Sequence, residues 1–221
     1  MSALEERLTK VNSAWRLALL NLEKSYDYTL ELLGDALDLR ASSNEGHSRR
    51  VTGYTVAIAR AIGLRKEDIA VIARGAFLHS VARFGVPDSI LEKGPPLTAD
   101  EMAIMREQCV RGYRMLRRIP FLQAAAEVVY AQYECYDGTG YPRGLKGKEI
   151  PLGARIFHVA NALDVLTADT PFDGYHSLDG PRDKIDELSG TQFDPEVVSV
   201  FLHMPRKIWI DLRREIDRST T

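Results

Sequence analysis

Apolar residues return every third or fourth position from Leu4 to Leu37, through Leu8, Val11, Trp15, Ala18, Leu22, Tyr26, Leu30 and Leu33, with no proline between them. That recurrence is the mark of an amphipathic helix and predicts one uninterrupted helix over residues 3–41. A helix this long exceeds an ordinary globular one. Its first half therefore either projects and pairs with a copy of itself or a neighbouring module, or lies on the main body of the protein. Nowhere does the chain alternate apolar and polar residues with the period of a strand, so the expected fold class is all-α.

The remaining sequence reads as further helices separated by helix breakers. Ser42, Ser43 or Asn44 is available to cap a helix over 45–62 that stops at Gly63. A third helix, 65–80, is expected to bury Ile69, Ile72, Ala73, Ala76 and Phe77. After a turn and a short helix at "GVPDSI", Thr98 followed three residues later by Glu101 makes a capping box that opens a helix to about Arg118. Pro120 opens another, to about Tyr133. "YDGTGYPRGLKGKEI", residues 136–150, is the one long irregular segment, and a loop of this size inside a compact helical domain more often frames a site than merely joins helices. A helix resumes at Pro151 and ends before Pro171. From Pro181 to Arg218, short helices alternate with turns at Gly190, Pro195 and Pro205.

Composition narrows the function classes. The 221 residues include 45 % apolar and 27 % charged side chains, and 29 basic against 31 acidic groups leave a net charge of −2. That balance supplies no global field for nucleic acid or anionic lipid, so neither is an expected partner. Cys109 and Cys135 form no CxxC pair, which suits a reducing compartment. No basic segment followed by an apolar run and a small-residue cleavage site opens the chain, and the most apolar windows are shorter than a membrane span. The expectation is a cytoplasmic protein.

Five histidines carry most of the candidate chemistry. His47 opens one helix and His79 lies at the last turn of the next. Those two ends share one end of an antiparallel pair, so the imidazoles can approach each other. His79 reads either as a satisfied core residue or as a metal contact, and His47 as a locally bonded helix-start residue or a ligand. His158 reads as core packing, and His176 and His203 as loop or helix-face residues. Divalent transition-metal sites normally take three or four protein ligands, and Ser80, Arg83 and Gln108 offer neither a carboxylate nor an imidazole. Glu134 and Asp137, with Asp164 on the following helix, form the nearest negative charge, as a weak cation site or as salt-bridge partners for Arg143 and Arg155.

From about Tyr28 to Met204 the chain resembles the HD-GYP family, a branch of the HD superfamily. The resemblance is carried by "GHSRRVTGYTVAIARAIGL", "GAFLHSVARFGVPDSILEKGPPLTADE" and "YECYDGTGYPRGLKGKEIPLGARIFHVANALDVLTA", the last with the name-giving Gly140, Tyr141 and Pro142. It implies a helical bundle of the HD-GYP type over 28–221, with residues 1–27 as a helical extension for dimerisation or coupling. It also implies a bacterial metallophosphodiesterase acting on cyclic di-GMP through a bi- or trinuclear iron or manganese centre. The ligand positions depart from that pattern. His47 and His79 are kept, but the family's carboxylate before the first histidine is Ser43 and the aspartate of its His-Asp pair is Ser80. Further ligand positions hold Gln108, Gln132, Tyr133 and Asn161. Arg83 replaces the family's lysine, while Thr170 and Asp173 stand where basic groups would meet phosphate.

Serine, glutamine and asparagine bring neither the negative charge nor the imidazole that holds a divalent ion in water. Without the ion, nothing activates the attacking water or offsets charge on the phosphoryl oxygens. The expectation is a catalytically silent, degenerate HD-GYP domain with no metal and no cofactor. It would act in signalling through contacts with diguanylate cyclases or adaptors and through a possible homodimer along the N-terminal helix. The residues assigned to ligand or partner contact are Arg83, Glu134, Asp137, Gly140, Tyr141, Pro142, Arg143 and Lys146. Two alternatives stay open: a module that binds cyclic di-GMP or another nucleotide without cleaving it, and a phosphodiesterase with a rebuilt site using His47, His79, Glu134, Asp137 and Asp164.

Overall fold

A computed structural model describes residues 3–40, 46–91, 93, 96–167 and 178–220. The chain forms an all-α bundle: α1 (Ala3–Arg40), α2 (His47–Ile62), α3 (Lys66–Phe77), α4 (Asp88–Leu91), α5 (Ala99–Leu116), α6 (Gln123–Tyr130), α7 (Leu152–Thr167), α8 (Asp179–Glu187), α9 (Pro195–His203) and α10 (Arg206–Thr220). Short 3-10 segments cover His79–Gly85, Pro120–Leu122 and Gly147–Glu149. Among the described residues, extended pairing is limited to isolated bridges joining Tyr133 to Tyr141 and Ser189 to Phe193. No helix among them is long and apolar enough to cross a membrane.

The larger core lies where α2 and α7 meet α9 and α10. Tyr54, Ile58, Phe157, Leu163, Phe201 and Trp209 are buried there, with the rings of Tyr54 and Trp209 edge to face at 5.8 Å. A second core gathers Leu78, Val81, Leu116, Leu122 and Val129 between the 3-10 turn, α5 and α6. The two cores press together at Gly75 of α3. A Cβ at Gly75 would stand 2.6 Å from the Val128 Cβ and 2.8 Å from the Ala125 carbonyl oxygen, so only glycine permits this approach of α3 and α6.

The second half of α1 docks on this body. Asp27 meets Arg74 at 3.0 Å and Asp35 pairs with Arg49 at 2.6 Å. Gly34 lies under the Phe77 ring. The described side chains from Val11 to Ala18 are all exposed.

Two expected boundaries need correction. The N-cap of α2 is Gly46, in the left-handed region at φ 74°, and it offers no capping side chain. The free amide of Ser48 is instead bonded from another helix: Asp38 on α1 accepts from Ser48 N at 2.8 Å and from its hydroxyl at 2.7 Å. Ser42, Ser43 and Asn44 lie outside the described residues. The third helix ends at Phe77 and not at residue 80, and the chain tightens into a 3-10 turn from His79. Ala73, expected in the core, is only half-buried. The capping box is present as read, with Glu101 N donating to the Thr98 hydroxyl and Thr98 N to the Glu101 carboxylate.

Candidate functional site

The start of α2 and the 3-10 turn after α3 bring His47 and His79 together, with their Nε2 atoms 3.1 Å apart. Both rings are buried. The Nδ1 of His79 lies 2.7 Å from the Ala76 carbonyl oxygen, which can only accept, so that nitrogen carries the proton and Nε2 presents a lone pair. Burial, together with the neighbouring His47 and Arg83, holds the His79 pKa well below the ordinary histidine value. The Ser80 hydroxyl stands 3.1 Å from the same Nε2.

Behind His47 lies a buried ionic network. Its Nδ1 donates to Asp164 of α7 at 2.7 Å, and Asp164 accepts from Arg50 Nε at 2.6 Å and Nη2 at 3.3 Å. Burial pushes the Asp164 carboxyl up, but the hydrogen bonds from His47 and Arg50 outweigh it and hold the carboxyl below its usual value. A carboxylate on the far nitrogen of an imidazole fixes its tautomer and aims the near nitrogen into the cleft. His47 and His79 are therefore both oriented with Nε2 inward.

The other residues that the resemblance assigns to ligand positions supply weak donors. Gln132 is buried, and its amide donates to the Val129 carbonyl at 3.0 Å. Buried Gln108 donates to the Met105 sulfur at 3.3 Å, while its Oε1 has no partner among the described residues. Asn161 is half-buried on α7. The Tyr133 ring turns away to stack on Tyr141 at 5.0 Å, and the Arg106 guanidinium lies 5.8 Å from the Tyr141 ring centre. Burial raises both phenols, and the charge of Arg83 opposes that rise in each. That positive charge is thus felt at His79, Tyr133 and Tyr141 together, and the Arg83 Nε is buried with no partner among the described residues. Ser43, Thr170, Asp173 and His176 lie outside the described residues.

The glycine-rich segment folds back on Tyr133 and Glu134. Glu134 is buried and accepts from two backbone amides, Arg143 N at 2.8 Å and Leu145 N at 3.0 Å. Gly140 passes so close to the preceding strand of chain that a Cβ would stand 2.2 Å from Cys135 N and 2.5 Å from the Tyr133 carbonyl oxygen. The Tyr141–Pro142 peptide is cis. Asp137 accepts from the Thr139 amide at 2.9 Å and its hydroxyl at 2.7 Å, which hold its carboxyl below the usual range. Arg143 and Lys146 are exposed, while Tyr141 and Pro142 are half-buried.

These contacts correct the expected ion pairs. The Arg143 guanidinium pairs with Glu127 at 3.3 Å and lies 4.4 Å from the Tyr130 ring centre, while Arg155 pairs with Asp194. Glu134 and Asp137 are occupied by the loop itself, and Asp164 by His47 and Arg50. His158 is buried against Phe193 and accepts from Gln192 at 3.0 Å. His203 is exposed at the end of α9. The sequence reading passed over Arg50, Arg106 and Glu127. Asp164 offered a signal for the first of these, as an acidic residue inside the otherwise apolar run "NALDVL" that requires a buried cationic partner.

A multinuclear metal centre does not fit this donor set. Two inward imidazole nitrogens are present, but the nearest carboxylate stands behind His47 and is neutralised by Arg50. Among the described residues, no three His, Cys, Asp or Glu side chains form a metal-holding group. Hydroxyl and amide oxygens complete the lining, with a guanidinium charge beside them. A hard or borderline divalent ion held against water needs more anionic donors than this.

The chain matches the family described as "HD domain" over residues 31–197. It is 36 % identical over 194 residues to a cyclic di-GMP phosphodiesterase of Thermotoga maritima, covering 87 % of this chain and 53 % of that protein. A cyclic di-GMP phosphodiesterase response regulator of Xanthomonas campestris is 34 % identical over 176 residues, covering 79 % of this chain and 47 % of the relative. The chain thus spans about half the length of these relatives. Among solved structures, a cyclic GMP-AMP-specific phosphodiesterase of Vibrio cholerae superposes with a TM-score of 0.68 at 22 % identity, covering 87 % of this chain and 52 % of that one. An HDGYP protein of Bdellovibrio bacteriovorus gives 0.59 at 17 % identity, covering 86 % and 64 %. At these identities the structural matches establish the fold.

Proposed function

The chain belongs to the HD-domain family, and from that premise we propose that it is a catalytically silent member of the HD-GYP branch acting in bacterial signal transduction through protein contacts. One observation carries this reading. The cleft keeps two oriented imidazoles but has lost the carboxylate at Ser80 and the imidazoles at Gln108 and Gln132 that the resemblance leads one to expect. Hydrolysis of a phosphodiester by this family's chemistry requires a metal-activated water and a cation on the phosphoryl oxygens. Two imidazoles beside Arg83 supply neither.

The parts that need no metal are intact. Glu134, Gly140 and the stacked Tyr133 and Tyr141 hold the loop in one conformation and leave Arg143 and Lys146 outward. The names of the relatives place them in cyclic dinucleotide signalling, and the partners proposed here are diguanylate cyclases or adaptors of the same cytoplasmic system. The test is capture of diguanylate cyclases encoded in the same genome, by the wild-type chain and by an R143E/K146E variant. Capture by the wild type and loss in the variant supports the loop as contact surface; equal capture by both refutes it.

A second reading has its own support. Gln108 Oε1 and Arg83 Nε are buried with no partner among the described residues, and such groups are normally satisfied by a ligand or water. They favour a module that binds a cyclic dinucleotide without cleaving it. Calorimetry with cyclic di-GMP and cyclic GMP-AMP decides: saturable heat without product formation supports this reading, and no heat at high protein concentration removes it.

A further inference from the structure

We infer that α1 is one half of a parallel two-stranded coiled coil formed with a second copy of this chain. The sequence spacing from Leu4 through Leu8, Val11, Trp15 and Ala18 to Leu22 alternates four and three residues, the a and d pattern of a heptad seam, and the same register continues to Ser25, Thr29 and Leu32. The seam faces away from the domain: Val11 is 52 %, Trp15 66 % and Leu32 71 % exposed, and Ser25 and Thr29 are exposed between them. The opposite side of the helix contacts the body through Asp27, Leu30, Glu31 and Gly34, while Tyr26 and Asp35 beside the seam meet Phe121 and Arg49.

Three further features identify the occupant as a like helix. First, Lys10, Arg16, Glu23, Lys24, Asp27 and Glu31 all fall at b, c or f positions of this register, so from Leu8 to Leu32 the seam and its flanks carry no charge. Second, the hydroxyls on the seam are already satisfied within the helix: Ser25 donates to the Asn21 carbonyl at 2.9 Å and Thr29 to the Ser25 carbonyl at 2.8 Å. Burying them against a partner leaves no donor unmet. Third, an in-register parallel pair sets the two weak layers against their own counterparts. An antiparallel pair would set Ser25 and Thr29 against the apolar first half and weaken four layers where the parallel pair weakens two. A half-length of α1 with every described side chain from Val11 to Ala18 in water is also a poor helix on its own, since isolated helices of this size are marginal.

The geometry has a consequence for the cleft. The same continuous helix holds the start of α2 through Asp35 and Asp38, one turn from His47. A change in the seam is therefore mechanically joined to the first of the two cleft histidines, whether or not the cleft hydrolyses anything.

Sedimentation equilibrium of the whole 221-residue chain tests the inference with W15E in the seam and R16E outside it, both at exposed positions that leave the domain core untouched. The wild type and R16E are expected to be dimers at micromolar concentration, with W15E weakening the dimer by at least about 100-fold. Mild oxidation of V11C is expected to join two chains through that residue, as only a parallel register allows. A monomeric wild type, a dimer weakened equally by W15E and R16E, or a dimer that V11C cannot cross-link would each overturn it.

Discussion

His158 gives the sharpest energetic test of the packing around the cleft. It is buried on α7, its ring meets Phe193 edge to face, and the Gln192 amide donates to its Nε2 at 3.0 Å. Burial therefore lowers its pKa from 6.5 to about 4, against a smaller opposing effect of the Glu134 carbonyl. The sign follows directly. Below pH 6.5 the unfolded chain takes up a proton at this residue while the folded chain refuses it until about pH 4, so acid favours unfolding. Each pH unit within that interval costs about 1.4 kcal/mol, or about 2 kcal/mol between pH 6.5 and 5. Urea unfolding followed by the fluorescence of buried Trp209 at pH 7.5 and pH 5 measures it, in the wild type and in H158Q, which does not titrate. Whatever H158Q does to stability at pH 7.5, its further loss on going to pH 5 should be about 2 kcal/mol smaller than the wild type's. His79 acts in the same direction in both proteins and cancels in the difference. Parallel acid losses in the two proteins would refute the claim that His158 is held neutral by its surroundings.

Other substitutions probe the remaining contacts. D164N removes the buried carboxylate that Arg50 meets at 2.6 Å and leaves it the half-exposed Asp217 at 3.4 Å, and should lower stability by about 3–5 kcal/mol; D217N, at a side chain 49 % exposed, should lower it by under about 1 kcal/mol, both read from urea midpoints. G140A must push the chain away from Cys135 N and the Tyr133 carbonyl. It should cost about 1–3 kcal/mol and speed proteolysis within residues 136–150, whereas G180A, where a Cβ meets nothing within 4 Å, should leave proteolysis unchanged.

Local chemistry was the legible part of this sequence. The period of α1, the stop at Gly63 and the Thr98–Glu101 box are each set by residues within a few positions of one another, and the all-α fold follows from them. The end of α3 was not legible, because "FLHSVARF" contains no breaker and only the tertiary approach of His79 to α2 tightens it into a 3-10 turn. The cap of α2 comes from Asp38 on another helix, and Arg143 and Arg155 choose Glu127 and Asp194 over nearer acids for the same reason. In the cleft, the pairing of helix ends was enough to bring His47 beside His79. The role of Asp164 was not, since nothing local to "NALDVL" says that Arg50 will lie against it.

The central claim is that two imidazoles beside a guanidinium hold no catalytic metal. Its most direct test is the purified full chain incubated with manganese or ferrous iron, assayed together for bound metal and for linear product from cyclic di-GMP. Substoichiometric metal and product at the level of a protein-free control are predicted. Two tightly held ions per chain, with turnover abolished in H47A and H79A, would contradict it.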